Sequence, residues 1–166
     1  MKLRKLTLTA ILTAGALVVF VLENQLPPLT PLPGIKLGLA NVFSLFALWA
    51  VGAPQALCVL LLRVVLGSIL TGQVGALPYS LTGGLAAFGV MLLLKRLIPE
   101  RQLWVIGIFA AMAHSLGQMA AALLLTQTKQ LIYYLPVLLA ASVAAGAFTG
   151  LAAQLVLRQL RRNRLL

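Results

Sequence analysis

Six stretches of the chain are apolar for long enough to form helices that cross, or nearly cross, a hydrocarbon layer. They cover residues 6–22, 37–51, 54–70, 78–94, 103–125 and 131–157. Polar or glycine-containing breaks separate them at 23–36, 52–53, 71–77, 95–102 and 126–130. A helix rises about 1.5 Å per residue, so about 20 residues span a core of about 30 Å, and somewhat fewer suffice where the bilayer thins. The second stretch is the shortest and the weakest candidate. The pattern predicts an all-α, polytopic membrane protein, a single transmembrane domain over residues 1–166 with six transmembrane helices and a basic tail at 158–166.

The first segment could instead be a secretory signal, because Lys2, Arg4 and Lys5 precede an apolar run as a signal's basic region would. However, Glu23-Asn24-Gln25-Leu26-Pro27-Pro28 is a poor small-residue cleavage site, so a retained span is expected. Basic residues in short loops stay on the cytoplasmic side. With six spans and the N terminus inside, that side receives Lys2, Arg4, Lys5, Lys95, Arg96, Arg101, Arg158, Arg161, Arg162 and Arg164. The outside receives only Lys36 and Lys129, so both termini are expected to be cytoplasmic.

Composition agrees: the chain is 61% hydrophobic and only 9% charged, with a mean hydropathy of +1.05. Soluble domains carry about 25% charged residues, so a soluble fold is excluded. A net charge of +11 would suggest nucleic acid in a soluble protein, but here the charges lie between apolar stretches. The chain has no Asp; its acids are Glu23 and Glu100, and it has one His (His114) and one Cys (Cys58). Paired-carboxylate catalysis, a Cys/His metal cluster and a Ser-His-Asp triad all lack parts within this chain. There is no GxxxxGK[ST] loop for ATP. No catalytic residue, metal ligand or cofactor is expected. A proton or sodium relay is disfavoured too, because neither acid falls inside a predicted span.

The polar residues that remain in the spans therefore stand out. Arg63 sits within Leu60-Leu61-Leu62-Arg63-Val64-Val65-Leu66, where a cation costs about 2.5–3.5 kcal/mol to insert. With no acid near it in sequence, it is expected to face carbonyls, polar side chains, water or a bound anion, such as a carboxylate or phosphate. His114 and Gln118 are four apart and share a helix face, with Ser115 and Gly117 beside them. Asn41, one turn into the second span after Lys36, adds a polar group toward the outer half, as do Gln73, Tyr79, Ser80 and Thr82 in the 71–82 stretch. The loop at 23–36 carries Pro27, Pro28, Pro31 and Pro33 before Gly34, a stiff, non-helical segment that is either a plain connector or a lid. Ala10 and Ala14 form a small-x-x-x-small pair, which serves either internal packing or docking of a partner helix.

Four ordered motifs then suggest a relationship: Leu32-Pro33-Gly34-Ile35-Lys36-Leu37-Gly38-Leu39-Ala40-Asn41, Leu62-Arg63-Val64-Val65-Leu66-Gly67-Ser68, Ser80-Leu81-Thr82-Gly83-Gly84 and Ala113-His114-Ser115-Leu116-Gly117-Gln118. Together they resemble the Gx transporter family, also labelled heptaprenyl diphosphate synthase component I. The resemblance runs over nearly the whole chain. That family is in turn similar to the S components of energy-coupling factor (ECF) transporters, six-helix proteins of prokaryotic plasma membranes that capture a small molecule at the outer side. S components carry an Ala-x-x-x-Ala motif in the first helix for docking a transmembrane coupling subunit driven by two ATPases. Ala10-Ile11-Leu12-Thr13-Ala14 matches it in position and spacing.

The resemblance implies a substrate-binding subunit for a small polar, anionic or isoprenoid-related molecule. Arg63, His114, Gln118, Asn41, Lys36, Gln73 and Tyr79 would line its site, and Ala10 and Ala14 would meet the coupling subunit. The other label implies a membrane accessory to a soluble prenyl diphosphate synthase. Synthase activity within this chain is not expected, because magnesium-dependent prenyl transfer needs Asp-rich motifs and the chain has no Asp.

Overall fold

A computed structural model describes residues 2–25 and 36–163 of the chain. Of the expected Pro-rich loop, 23–36, residues 26–35 lie outside the described residues. Six α-helices follow one another: α1 Lys2–Glu23, α2 Asn41–Ala50, α3 Ala53–Leu70, α4 Leu77–Leu94, α5 Leu103–Thr126 and α6 Leu135–Arg162. Short 3-10 turns at Val74–Ala76, Glu100–Gln102 and Lys129–Tyr134 lead into α4, α5 and α6. The helix starts follow from local chemistry: Pro54, Pro78 and Pro136 sit in the first turns of α3, α4 and α6. There the missing proline N–H is no loss and the fixed φ is already helical. At the far end of α5, Gln127 turns left-handed and its N–H closes on the Leu123 carbonyl at 3.1 Å.

Five helical stretches, all but α2, are long and apolar enough to cross a bilayer. Their burial pattern is that of a membrane protein. On α3 the apolar Leu61, Leu62, Val65, Leu66 and Ile69 are exposed, while Arg63 and Ser68 point inward and are buried. Water would reverse that arrangement; lipid favours it, because intramembrane polar groups face the bundle interior.

The second element departs from expectation. A span over 37–51 is predicted, but α2 has 10 residues, about 15 Å or half a hydrocarbon core. Residues 36–38 lack regular structure and 39–40 form a turn. Gly38 has φ +75°, which breaks the helical path. Within the hydrocarbon region, non-helical backbone is tolerated only where it is covered by protein or lines a cavity.

α5 is flanked by its two most extensive partners, α4 and α6, while α1 and α2 both pack against α3. One apolar cluster, including Leu45, Leu48, Val59, Leu60, Val64, Met91 and Ile106, fills the half of the bundle around α2. A smaller one, Met119, Ala122, Leu131 and Leu138, closes the far end of α5. Polar side chains lie between them. At the α5–α6 crossing a Cβ on Gly146 would run into the Gly107 carbonyl and Ile108 Cα, so the two backbones are in contact. Gly146→Leu should therefore lower the thermal midpoint in detergent, with a loss of about 3 kcal/mol or more expected for overpacking against backbone. Gly89→Ala, at an exposed position with open space around it, should leave the midpoint unchanged or raise it slightly.

Candidate functional site

The polar residues that stand out in the sequence are brought together from four elements. Arg63 on α3, 2% exposed, donates from Nη2 to Asn41 Oδ1 at the start of α2, at 2.9 Å. On α5, one turn apart, His114 and Gln118 are buried. Gln118 Oε1 accepts the backbone N–H of Lys36 at 3.1 Å and so holds the non-helical segment before α2. A cavity of about 10 Å³, lined by Phe20, Glu23, Lys36, Gly38, Arg63, Ser80, His114 and Gln118, lies among them. That is room for about one water molecule, so the site is closed.

Close helix packing sets this geometry. Gly83 on α4 has no Cβ, and one placed there would come within 2.6 Å of Gln118 Cγ and 2.8 Å of the His114 carbonyl. The α4 backbone is thus pressed against the two polar side chains. Gly38 is constrained twice. Its φ of +75° suits glycine, and a Cβ would lie 2.7 Å from both Asn41 Nδ2 and His114 Cδ2.

Glu23 corrects an expectation. In the sequence it falls outside the spans, and Arg63 is predicted to lack an acid nearby. In the fold Glu23 is the last residue of α1 and is 6% exposed. Its Oε1 accepts the Gly38 N–H at 2.6 Å. Its charge acts on both Arg63 and Lys36. The physical reason is tertiary: α1 packs along α3, which brings its C-terminal end to the level of Arg63. The only signal in the sequence is an acid that directly follows an apolar run. Phe20, one turn earlier on the same face, belongs to the site too, with the Lys36 ammonium 3.6 Å from its ring centroid.

Three expected residues do not line the cavity: Asn41, which joins the site through its bond to Arg63, Tyr79 and Gln73. Tyr79 packs against the far-end apolar cluster with Met119 and Leu138, because its position on α4 faces α5 beyond Gln118. Gln73 lies just before the turn into α4 and does not line the cavity. Ser115, expected beside His114, faces α6 instead: its hydroxyl and that of Ser142 share a hydrogen bond of 2.6 Å.

The site is rich in unmet hydrogen-bonding capacity. Arg63 Nε, Asn41 Nδ2, Lys36 Nζ, His114 Nδ1, Gln118 Nε2 and Ser80 Oγ are buried without a hydrogen-bond partner among the described residues. A buried unsatisfied group costs about 1–3 kcal/mol, so six such groups within one small region demand an explanation. Arg63 and Lys36 face one carboxylate, which leaves an excess of positive charge. Burial pushes the Lys36 ammonium down to about 8; Glu23 opposes that shift and Arg63 adds to it.

The α1 alanines are placed differently. Ala10 and Ala14 are exposed, on a stripe with Thr7, Val18 and Leu22, whereas Thr9, Thr13, Ala16, Phe20 and Glu23 point inward. Both alanines therefore lie on the face of α1 turned away from the bundle. The interior contact of α1 with α2 is made by Gly15 against Phe43 instead.

These features define a class: a multi-pass, all-α membrane protein whose helices enclose a small, charged polar site. The chain belongs to the heptaprenyl diphosphate synthase component I family, whose sequence profile matches residues 12–156. That range includes every residue lining the cavity, and Ala14, while Ala10 precedes it. No curated protein and no solved structure matches the chain.

Gly38→Ala should lower the thermal midpoint more than Gly72→Ala. Both positions have positive φ, +75° and +67°, but a Cβ at Gly72 meets nothing within 4 Å. Backbone strain of about 1–2 kcal/mol is common to both, and the difference isolates the contact of Gly38 with His114 and Asn41. Equal losses would show that the segment is not seated on His114.

Proposed function

We propose that this chain is the substrate-binding subunit of an ECF-type importer, taking up a small polar or anionic molecule from outside the cell. The observation that carries the reading is the convergence of buried, unpartnered donors around Arg63. A membrane protein retains such groups at high cost when they serve a ligand or an ion pathway. In this reading both termini face the cytoplasm of a prokaryote and the site lies in the outer half of the plasma membrane.

Arg63 meets the anionic or strongly polar end of the ligand with its free Nε–H, and Asn41 holds the guanidinium plane in place. His114, Gln118 and Ser80 fix orientation through hydrogen bonds. The closed cavity opens when the segment around Gly38 moves off His114. Ligand contacts then replace those of the segment, so binding and opening are coupled equilibria. Ala10 and Ala14 present a smooth, lipid-facing surface on which a coupling subunit's helix can pack closely. Energy comes from that subunit's two ATPases, and this chain, which performs no catalysis, supplies selectivity.

A second reading is favoured by the family description itself: a non-catalytic membrane component that holds a soluble prenyl diphosphate synthase at the bilayer. It does not require a buried Arg63 site. Native mass spectrometry of the protein purified from its own host separates the two. A retained small molecule together with an ATPase-containing complex supports the importer; a co-purifying prenyl synthase with no small molecule supports the scaffold.

Arg63→Leu should abolish retention of that small molecule while the protein still inserts and folds; unchanged retention would refute the pocket role. Ala14→Trp, alone or with Ala10→Trp, should block recovery of the coupling complex and spare ligand retention. Normal complex formation in both variants would show that the α1 stripe is not a docking surface.

A further inference from the structure

Lys36 is held at its backbone and inserted at its side chain. Gln118 fixes its N–H, while Nζ turns inward to lie 3.6 Å from the Phe20 ring centroid, buried and without a hydrogen-bond partner among the described residues. An ammonium over an aromatic face is held by the ring quadrupole, more strongly when water is excluded. The Glu23 carboxylate adds its attraction. Phe20 and Glu23 lie three apart on one face of α1, so the ring that the ammonium rests on and a carboxylate that attracts it without a direct ion pair are carried by one rigid helix. What fills it is a flexible side chain from a non-helical segment.

The same ring borders an anion receptor. Arg63 Cζ lies 6.0 Å from the Phe20 centroid, and its Nε–H is unpartnered. A cation subsite and an anion subsite therefore share one aromatic floor.

Charge decides what fits. The cavity of about 10 Å³ admits a ligand only if something leaves, and the Lys36 side chain is the flexible group lining it. Once it leaves, Arg63 and Glu23 balance. A simple anion would then give the site a net negative charge and a simple cation a net positive one, each costly in a low-dielectric interior. A molecule carrying both charges keeps the site neutral. We propose that Lys36 is a built-in stand-in for the ligand's cationic end, and that the site takes a small zwitterion, with its ammonium on Phe20 and Glu23 and its carboxylate or phosphate on Arg63. This deepens the binding-subunit reading and rests on it.

The test uses the full chain in detergent, with n-butylammonium, 4-aminobutyrate and n-butanol as probes and the thermal midpoint as readout. Lys36→Ala empties the subsite. Its midpoint should rise saturably with n-butylammonium and not with n-butanol, and 4-aminobutyrate should act at about tenfold lower concentration, equivalent to about 1.4 kcal/mol from the Arg63 contact. The unaltered protein should need at least about tenfold more of either probe, because Lys36 competes. Adding Glu23→Gln to Lys36→Ala should abolish the ammonium preference. Should Lys36→Ala fail to fold, Lys36→Met retains the apolar stem and is tested in the same way. Equal responses of the unaltered and Lys36-substituted proteins, equal effects of butylammonium and butanol, or an ammonium response indifferent to Glu23→Gln would each overturn the stand-in. No advantage of 4-aminobutyrate over butylammonium would overturn the zwitterion. None of these readouts involves a coupling subunit, so their failure is distinguishable from failure of docking, which Ala14→Trp reports.

Discussion

A guanidinium buried at 2% exposure in an apolar helix bundle places demands on everything around it. Its charge needs compensation, its donors need acceptors, and lipid supplies neither. Asn41 answers one demand with a hydrogen bond of 2.9 Å, and it can do so because α2 begins at Asn41, beside α3. Glu23 answers the other from the end of α1. Its carboxylate also accepts the Gly38 amide, so the acid that offsets the buried cations also anchors the backbone that would otherwise be orphaned where the helix is interrupted. The short second helix, the left-handed glycine and the inward-turned acid meet around one buried charge.

The helical architecture was legible because hydropathy and length decide it: five of six predicted spans correspond to helices whose ends fall within a few residues of the expected positions, the largest shift being at the end of α6. The second could not be read this way. Residues 37–51 are apolar throughout, and nothing local states that Gly38 will adopt φ +75°. That conformation depends on Glu23 and His114, which lie 15 and 76 residues away in the sequence. Arg63, His114, Gln118 and Asn41 stand out in the sequence for a different reason, and the fold buries all four. Each is polar where an apolar residue would be cheaper, and such residues turn inward. Tyr79 stands out by the same logic but packs on the far-end apolar cluster, as an amphipathic ring in a membrane helix can. Glu23 and Phe20 were illegible: an acid beside an apolar run reads as a boundary, and a phenylalanine in a span reads as lipid-facing or core.

Glycine spacing carries a second layer of information that becomes meaningful only in three dimensions. Gly83 admits Gln118 and His114, and Gly146 admits the α5 backbone. Read along the chain, all such residues serve helix packing equally well. In the fold, one of these crossings sets the position of the candidate site and the other braces α5 from behind, so the site rests on packed helices on two sides and on a non-helical segment on the third.

That asymmetry gives α1 a particular place. Its inward face carries Thr9, Thr13, Ala16, Phe20 and Glu23, and its outward face carries Thr7, Ala10, Ala14 and Val18. Glu23 and Ala14 are nine residues apart on one uninterrupted helix, about 14 Å. A continuous helix transmits rotation and tilt along its length without a separate wire. Loss of the Glu23–Gly38 contact on one face therefore alters the constraint on a body whose other face is open to lipid. In the binding-subunit reading, this is the shortest physical route between ligand occupancy and partner docking. It requires no motion in α4, α5 or α6, whose glycine-mediated contacts leave little room for any.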